Sequence, residues 1–499
     1  MIPIENRHKY LEIVVVAAIL LAVSAVLWWR FLPLPHQDLN FYTEPAYLLA
    51  KFGKLAGPGS QGADLTYQKG IYNYPPGYYL IVAGWIRLFG LSPDSLLGYA
   101  HTVHFGVLLI VWMLLRFRYG CSKFASSLAL LSIFPRMANG RPDLTACLLY
   151  LAAWLALPED DNPRRLVFSG CLAGFTLLVS PGYGIATLAT LAILLLTPSQ
   201  FPLRAKIWSL SIWSCSAFVF FACALSIVLS LQHSWALAYV QFRANTIVRG
   251  TEVNVLPDLH LLYTYLFSVI PFVFLALIPA AVVVWAVRKE PKIPLFRVSL
   301  AFLGAAVMWL AVNKSQLLLE HHYLFPAKTI FLGLLCSWPK LPSWIRCIPL
   351  LLVSTLGFYL YKADFLYLTT PLRQTERHYA SAIHPVGEVA VDSLYFARFY
   401  RAGHTLNYET VNTGYWPKYL ATIPADLRES VMSGLEKHPV EPSMVIATPY
   451  ILPRSGHDIP GGMFCTQPPS AAERLRALGH TWNLPADPYA AVVCSRSVH

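Results

Sequence analysis

The sequence predicts a polytopic α-helical membrane protein of about eleven transmembrane helices, followed by a small polar α/β domain. Three observations carry that reading. The chain has 499 residues, of which 56% are hydrophobic and 13% charged, whereas soluble domains are roughly a quarter charged. Several apolar runs approach or exceed the roughly 20 residues a helix needs to cross a bilayer. From about Asp364 the composition turns polar, and GEVAVDSLYF, PSMVIATPYIL and YAAVVCS alternate as short strands.

The first span covers about Tyr10 to Leu32, with Trp28, Trp29 and Arg30 as interface anchors. Its length, and the lack of a small-residue cleavage site in PLPHQD, predict a retained span, not a signal peptide. Arg7, His8 and Lys9 precede it and place the N-terminus in the cytoplasm. The stretch His36–Gly90 then lies outside as the first extracytoplasmic loop (36–90). Within it, FYTEPAYLLAKF is amphipathic and too short to span, so it predicts an interfacial helix. GPGSQG is a turn region, and Pro75–Gly90 predicts a second interfacial helix.

Further spans are expected at about Asp94–Leu115, Ser122–Pro135, Asp143–Leu157, Leu166–Ser180, Tyr183–Thr197, Ile207–Leu231, His260–Val287, Pro294–Val312, Tyr323–Trp338 and Ile345–Tyr361. Arg116, Arg118, Arg164, Arg165, Arg204, Lys206, Arg288, Lys289, Lys292, Lys340 and Arg346 mark cytoplasmic loops between them. Gln232–Leu259 and the Arg136–Asp143 turn are expected as outer loops. An odd number of spans puts the tail outside. The expected division is a membrane domain over 1–363 and an extracytoplasmic α/β domain over 364–499, in which ADLRESVMSGLEK and SAAERLRALG read as helices.

The net charge of +12 does not point to nucleic acid, because the basic residues sit in short loops where they set orientation. Of nine cysteines, seven lie in or beside apolar segments with no ligand spacing and read as packing residues. Cys465 and Cys494 lie in the tail, where an oxidising compartment would allow a disulfide.

Acids are scarce, and an ionisable group at membrane depth is costly and often functional. Asp38 ends the first span and Asp143 begins the fourth, on the same predicted face. The competing reading of Asp38 is a solvated loop residue or a helix cap, and that of Asp143 is an N-cap, since Pro142 precedes it and an apolar helix follows.

Three stretches, QDLNFYTEPAYLLAKFG, YNYPPGYYLIVAGWIRLFG and NGRPDLTACLLYLAAWLAL, resemble the GT-C superfamily of integral-membrane glycosyltransferases. The likeness is to the branch of protein mannosyltransferases and aminoarabinose transferases. GFTLLVSPGYGIATLATLAILLL and EHHYLFPAKTIFLGLL follow in the family's order, so the resemblance covers roughly residues 10–340. It implies a GT-C fold and transfer of a sugar from a polyprenyl-phosphate donor to an extracytoplasmic glycan, lipid or protein. It also implies that Asp38 is the catalytic acid of the first loop and Asp143 the second acid of the site. Departures are Leu39, where many relatives carry a second acid after the first, and Tyr74, where relatives often have His or Lys. Glu44 is a candidate substitute for the missing acid.

The chemistry fits these residue types. A carboxylate takes the proton of an acceptor hydroxyl as it attacks the anomeric carbon, and a nearby carboxylate stabilises the oxocarbenium character that develops. The leaving phosphate is already charged and needs cations to hold it. Candidate substrate-binding residues are Glu44, Lys69, Tyr74, Arg141, Arg243, Arg249, His321, His322, Tyr323 and Lys328. For the cations the alternatives are headgroup contact or snorkelling. His101 and His104 share a helix face and read as packing polar groups. No cofactor is required, and a divalent metal ion stays open, with His321 and His322 as weak ligand candidates because adjacent histidines diverge. Expected partners are the donor, an acceptor and membrane lipids, in a bacterial cytoplasmic membrane. A flippase of lipid-linked sugars is the main rival, although it would call for internal repeats that the sequence does not show. The second is an assembly protein whose tail binds partners.

Overall fold

The structure is a computed structural model. It describes residues 4–36, 38–133, 140–158, 162–197, 202–251, 294–312, 325–337, 351, 367–410, 425, 428–429, 433, 440–448, 463–465 and 487–496.

Helix α1 (Ile4–Trp29) is followed by α2 (Leu39–Phe52), single 3-10 turns at Pro58–Ser60 and Leu65–Gln68, and α3 (Gly77–Phe89). Then come α4 (Pro93–Met113), α5 (Lys123–Ile133), α6 (Asp143–Ala156), α7 (Pro163–Val179), α8 (Pro181–Leu196), α9 (Leu203–Leu231), α10 (Trp235–Thr251), α11 (Pro294–Val312) and α12 (Phe325–Ser337). Among the described residues, His8–Trp29, Pro93–Arg118 and Leu203–Leu231 are long and apolar enough to cross a membrane. Several shorter apolar helices accompany them, including α3, α6, α8 and α12. The expected spans at 260–287 and 345–361 lie outside the described residues.

Local chemistry sets the helix starts. Ser92 caps α4 by accepting from Ser95 N–H at 3.1 Å, with Pro93 in the first turn. Asn162 does the same for α7 with Arg164 and Arg165 N–H, ahead of Pro163. Pro181 ends α7 and opens α8, since its ring leaves no N–H to continue the first helix.

The helices pack closely around α6, α7 and α9. Gly170 and Gly174, four residues apart on α7, lie against the backbone of Trp213 and Ala217; a Cβ at Gly170 would stand 2.5 Å from the Trp213 carbonyl oxygen. Small residues allow this approach where lipid gives no hydrophobic drive between helices. Ser169 stitches the contact, donating to the Ala153 carbonyl at 2.7 Å and accepting from Trp213 Nε1 at 3.2 Å. Tyr150, Trp154 and Trp213 are fully buried there.

Residues 235–251 form helix α10, where the sequence reading expected an outer loop. The segment is too polar to signal a helix by hydropathy. It is held by polar contacts: Gln241 Nε2 donates to Thr66 Oγ1 and the Gly70 carbonyl at 2.8 and 2.7 Å, and its Oε1 accepts from Tyr72 N–H. The first loop is thus anchored on α10, and Gln232 adds contacts to Leu55 N–H and the Gly53 carbonyl.

The C-terminal part holds α13 (Leu372–Ala382) and a five-stranded sheet: β1 (Val389–Val391), β2 (Thr405–Asn407), β3 (Met444–Ala447), β4 (Phe464–Cys465) and β5 (Val492–Ser495). The order is β2-β1-β3-β5-β4, with β1, β2 and β3 parallel and β5 antiparallel to both its neighbours. β1, β3 and β5 fall on the three segments read as strands; β2 and β4 are additional. Cys465 and Cys494 are paired across β4 and β5 and joined by a disulfide. Most of the two segments expected as helices lies outside the described residues. The sheet packs on the first loop and on the end of α1. Arg373 stacks over Trp28 and Phe31, at 4.7 and 5.1 Å from the ring centroids, and pairs with Asp94 at 2.5 Å.

Candidate active site

The chain from Phe31 to Pro35 turns away from α1 and delivers Asp38 to the N-cap position of α2. A cap would turn its carboxylate back onto the helix amides, but the Asp38 side chain makes no capping bond. It stands beside an imidazole and a guanidinium instead. His36 Nδ1 stands 3.4 Å from Asp38 Oδ2 and receives the Asp38 backbone N–H at 3.1 Å. Arg141 Nη1 lies 3.4 Å from the same oxygen.

Arg141 also reaches Asp143, with Nε 2.7 Å from Oδ2. One guanidinium therefore joins the two acids named from sequence, although they stand far apart in the chain. The joint rests on Gly140. Its φ is +96°, a region that disfavours other residues. A Cβ there would come within 2.9 Å of Leu39 Cα. Only a glycine lets the 140–143 turn approach the first turn of α2 so closely.

Exposure separates the two acids. The Asp38 side chain is 36% exposed and that of Asp143 is 16% exposed. Burial pushes the Asp38 carboxyl up, but the hydrogen bond and charge of His36 and the charge of Arg141 outweigh it, so the pKa falls below the ordinary 3.8. Asp38 is therefore an ionised, reachable carboxylate at neutral pH.

An aromatic group lies beneath. Tyr42 sits on α2 one turn after Asp38 and packs edge-on to Phe41 and Tyr78, at 5.3 and 5.6 Å between centroids. Tyr74 packs against Phe41 and Tyr42. Tyr42 feels the charges of Asp38 and Arg141, and Tyr78 those of Asp143 and Arg141. Tyr99 Oη and Thr145 Oγ1, 2.7 Å apart, tie α4 to the start of α6.

The other candidates fall as follows. Glu44 is buried and taken up by the fold: both its oxygens accept from Gly59 N–H, at 2.9 and 3.0 Å, and Tyr400 donates to it at 3.3 Å. Burial raises its pKa to about 8. Lys69 is exposed and donates to the Ser433 carbonyl. Lys328 is buried within α12, its ammonium 5.6 Å from the Phe325 ring. Arg243 is half-buried on α10. Arg249 lies on the same helix, and its side chain is outside the description. Six helical residues separate the two by about 9 Å along the axis and by about a third of a turn, so they do not stand side by side as loop residues would. His321, His322 and Tyr323 lie outside the described residues. His101 bonds the Leu32 carbonyl at 2.8 Å and ties α4 to the turn after α1.

Sequence reasoning missed His36, Tyr42, Tyr78 and Asn40. His36 sits two residues before Asp38, so its nearness was available as a signal. Asn40 had none, because its partners lie more than 350 residues away. As for a metal, among the described residues no three His, Cys, Asp or Glu side chains are grouped to hold one. Between the two acids stands a guanidinium, so this donor set does not fit a divalent ion.

No protein-family model matches the chain, and no curated protein matches it. Solved structures similar to it include the oligosaccharyltransferase of Archaeoglobus fulgidus in complex with Zn and sulfate, at 14% identity and TM-score 0.44, covering 87% of this chain and 68% of that one. ArnT of Cupriavidus metallidurans bound to undecaprenyl phosphate matches at 15% and 0.40, over 96% and 98%. The arabinosyltransferase EmbB of Mycobacterium smegmatis matches at 14% and 0.39, over 71% and 39%. All three are GT-C glycosyltransferases. At these scores the likeness carries no argument about this chain's own fold or chemistry.

Proposed function

We propose that this chain is an integral-membrane glycosyltransferase that moves a sugar from a polyprenyl-phosphate donor to an extracytoplasmic hydroxyl, with Asp38 as general base. One observation carries the proposal: a half-buried carboxylate that does not cap its helix is joined to a second carboxylate by Arg141.

The acceptor hydroxyl gives its proton to Asp38 as its oxygen bonds the anomeric carbon. The bond from that carbon to the phosphate oxygen breaks on the opposite face, so configuration inverts. The electron pair leaves with the polyprenyl phosphate, which departs as an anion. Asp143 fixes Arg141, which holds the Asp38 carboxylate in place, and Asp143 adds negative charge that favours the oxocarbenium-like transition state. Lys69, Tyr74, Arg243, Arg249, His321, His322, Tyr323 and Lys328 are proposed donor or acceptor contacts, with the cations matched to the leaving phosphate. Glu44 serves this reading by shaping the loop. The site, and residues 364–499 as an extracytoplasmic domain, face outward from a bacterial cytoplasmic membrane.

The test uses the purified full-length protein with donor lipids and acceptors extracted from the source membranes. Each transfer liberates one polyprenyl phosphate, which mass spectrometry counts whatever the sugar. Release that depends on the protein supports the proposal. Movement of the lipid-linked sugar across vesicles without release supports a flippase instead.

A further inference from the structure

Asn40 is fully buried two residues after Asp38, yet it makes its contacts with the C-terminal sheet. Its Nδ2 donates to the Val391 carbonyl at 2.9 Å, and Asn407 Oδ1 and Glu409 Oε2 lie at 3.2 and 3.3 Å. Val391 ends β1, Asn407 ends β2, and Glu409 follows β2. These are the carboxyl ends of two parallel strands, where open α/β sheets expose their polar groups. Glu409 is fixed in turn: its Oε1 accepts from Ser393 N–H at 3.3 Å, and its own N–H donates to Asn407 Oδ1 at 3.1 Å.

The first turn of α2 is thus clamped from two sides. Gly140 presses on Leu39 from the membrane helices. The sheet grips Asn40. Asp38 projects from the end of this clamped turn.

We propose that Asn40 and Glu409 are positioning residues for Asp38, so that the C-terminal sheet is a working part of the site and sets where the carboxylate stands relative to Arg141. This rests on the reading of Asp38 as the base. A buried amide suits the task, because its two N–H groups are directional and a misplaced partner leaves one unsatisfied. Burial raises the Glu409 pKa well above the ordinary 4.5, with the Asp392 charge adding to it. Glu409 accepts with both oxygens, one from Ser393 N–H and one from Asn40 Nδ2.

The test reads the ionisation of Asp38 directly. Dicyclohexylcarbodiimide modifies protonated carboxyls, and peptide mass spectrometry gives the pH of half-labelling at each one. The groups facing Asp38 are His36 in its own loop, Tyr42 on α2, Arg141 and Asp143 at the start of α6, and Glu409 after β2. In Asn40→Ala and Glu409→Ala, Asp38 should drift from Arg141 and its half-labelling pH should rise by about one unit. Glu409→Gln keeps one acceptor oxygen for Asn40 but turns its amide N–H2 toward Ser393 N–H, and should shift the profile less than Glu409→Ala. The exposed Glu441 is the control and should not move. An unchanged Asp38 profile in both alanine variants, or equal shifts in Glu409→Gln and Glu409→Ala, overturns the proposal. If Asn40→Ala does not purify as a folded protein, the two Glu409 variants decide. Polyprenyl phosphate release that survives in Asp38→Asn would reject the catalytic reading while leaving the labelling result standing, so the two failures are distinguishable.

Discussion

At the scale of single residues, Asp38 depends on the imidazole and guanidinium beside it. Its pKa in the fold lies below 3.8 because His36 and Arg141 outweigh burial. The sign follows from that depression: the group's contribution to stability is present above the unfolded pKa and lost as pH falls through the lower folded value. Arg141→Ala should therefore move the acid limb of transfer to higher pH, and should lower turnover by about 10²-fold through misplacement of the base. A pH–rate profile of polyprenyl phosphate release checks both. Glu44 behaves oppositely. Its pKa is raised from 4.5 to about 8 by burial, so its support for the fold is fully present below about 4.5 and is lost as pH rises through about 8. Thermal midpoints measured across that window should fall less steeply for Glu44→Gln than for the parent. The two acids of the proposed site stand out in the chain because carboxylates are rare in so apolar a sequence. The Glu44 tether was not, because its donors, Gly59 and Tyr400, are set by the fold.

At the scale of elements, two close approaches hold the site in place. The turn before α6 reaches α2 only because residue 140 is glycine. Gly140→Ala brings a left-handed strain of roughly 1–2 kcal/mol and a clash with Leu39. It should cost activity out of proportion to the loss in thermal midpoint, read as release rate against melting temperature. The Gly170–Gly174 face of α7 does similar work against α9. Gly174→Leu should force those helices apart and lower the midpoint strongly, while the acids keep their local contacts. Long apolar helices such as α4 and α9 were legible from hydropathy alone. Helix α10 was not, because its buried apolar face is short, Leu237 and Val240, and its other fixing is the Gln241 amide. The two-residue strand β4 was too short to register as alternation, and β2 lies in the polar stretch RAGHTLNYET.

At the scale of the whole molecule, the described apolar helices carry the polar first loop; the C-terminal part meets that loop through Asn40 and Tyr400, and meets the ends of α1 and α4 through Arg373. The disulfide between Cys465 and Cys494 agrees with the proposed outward tail, since such bonds persist in oxidising compartments. A cysteine placed at the exposed Ser381 should react with a membrane-impermeant maleimide on intact cells; protection there would place the tail inside. How the C-terminal part meets the loop was invisible in the chain, because Asn40 and Glu44 lie more than 350 residues from Val391 and Tyr400. The most direct measurement is polyprenyl phosphate release by Asp38→Asn alongside its binding of the donor lipid. The variant should bind donor as the parent does and release at least about 10²-fold less. Parent-level release would contradict the assignment of the base.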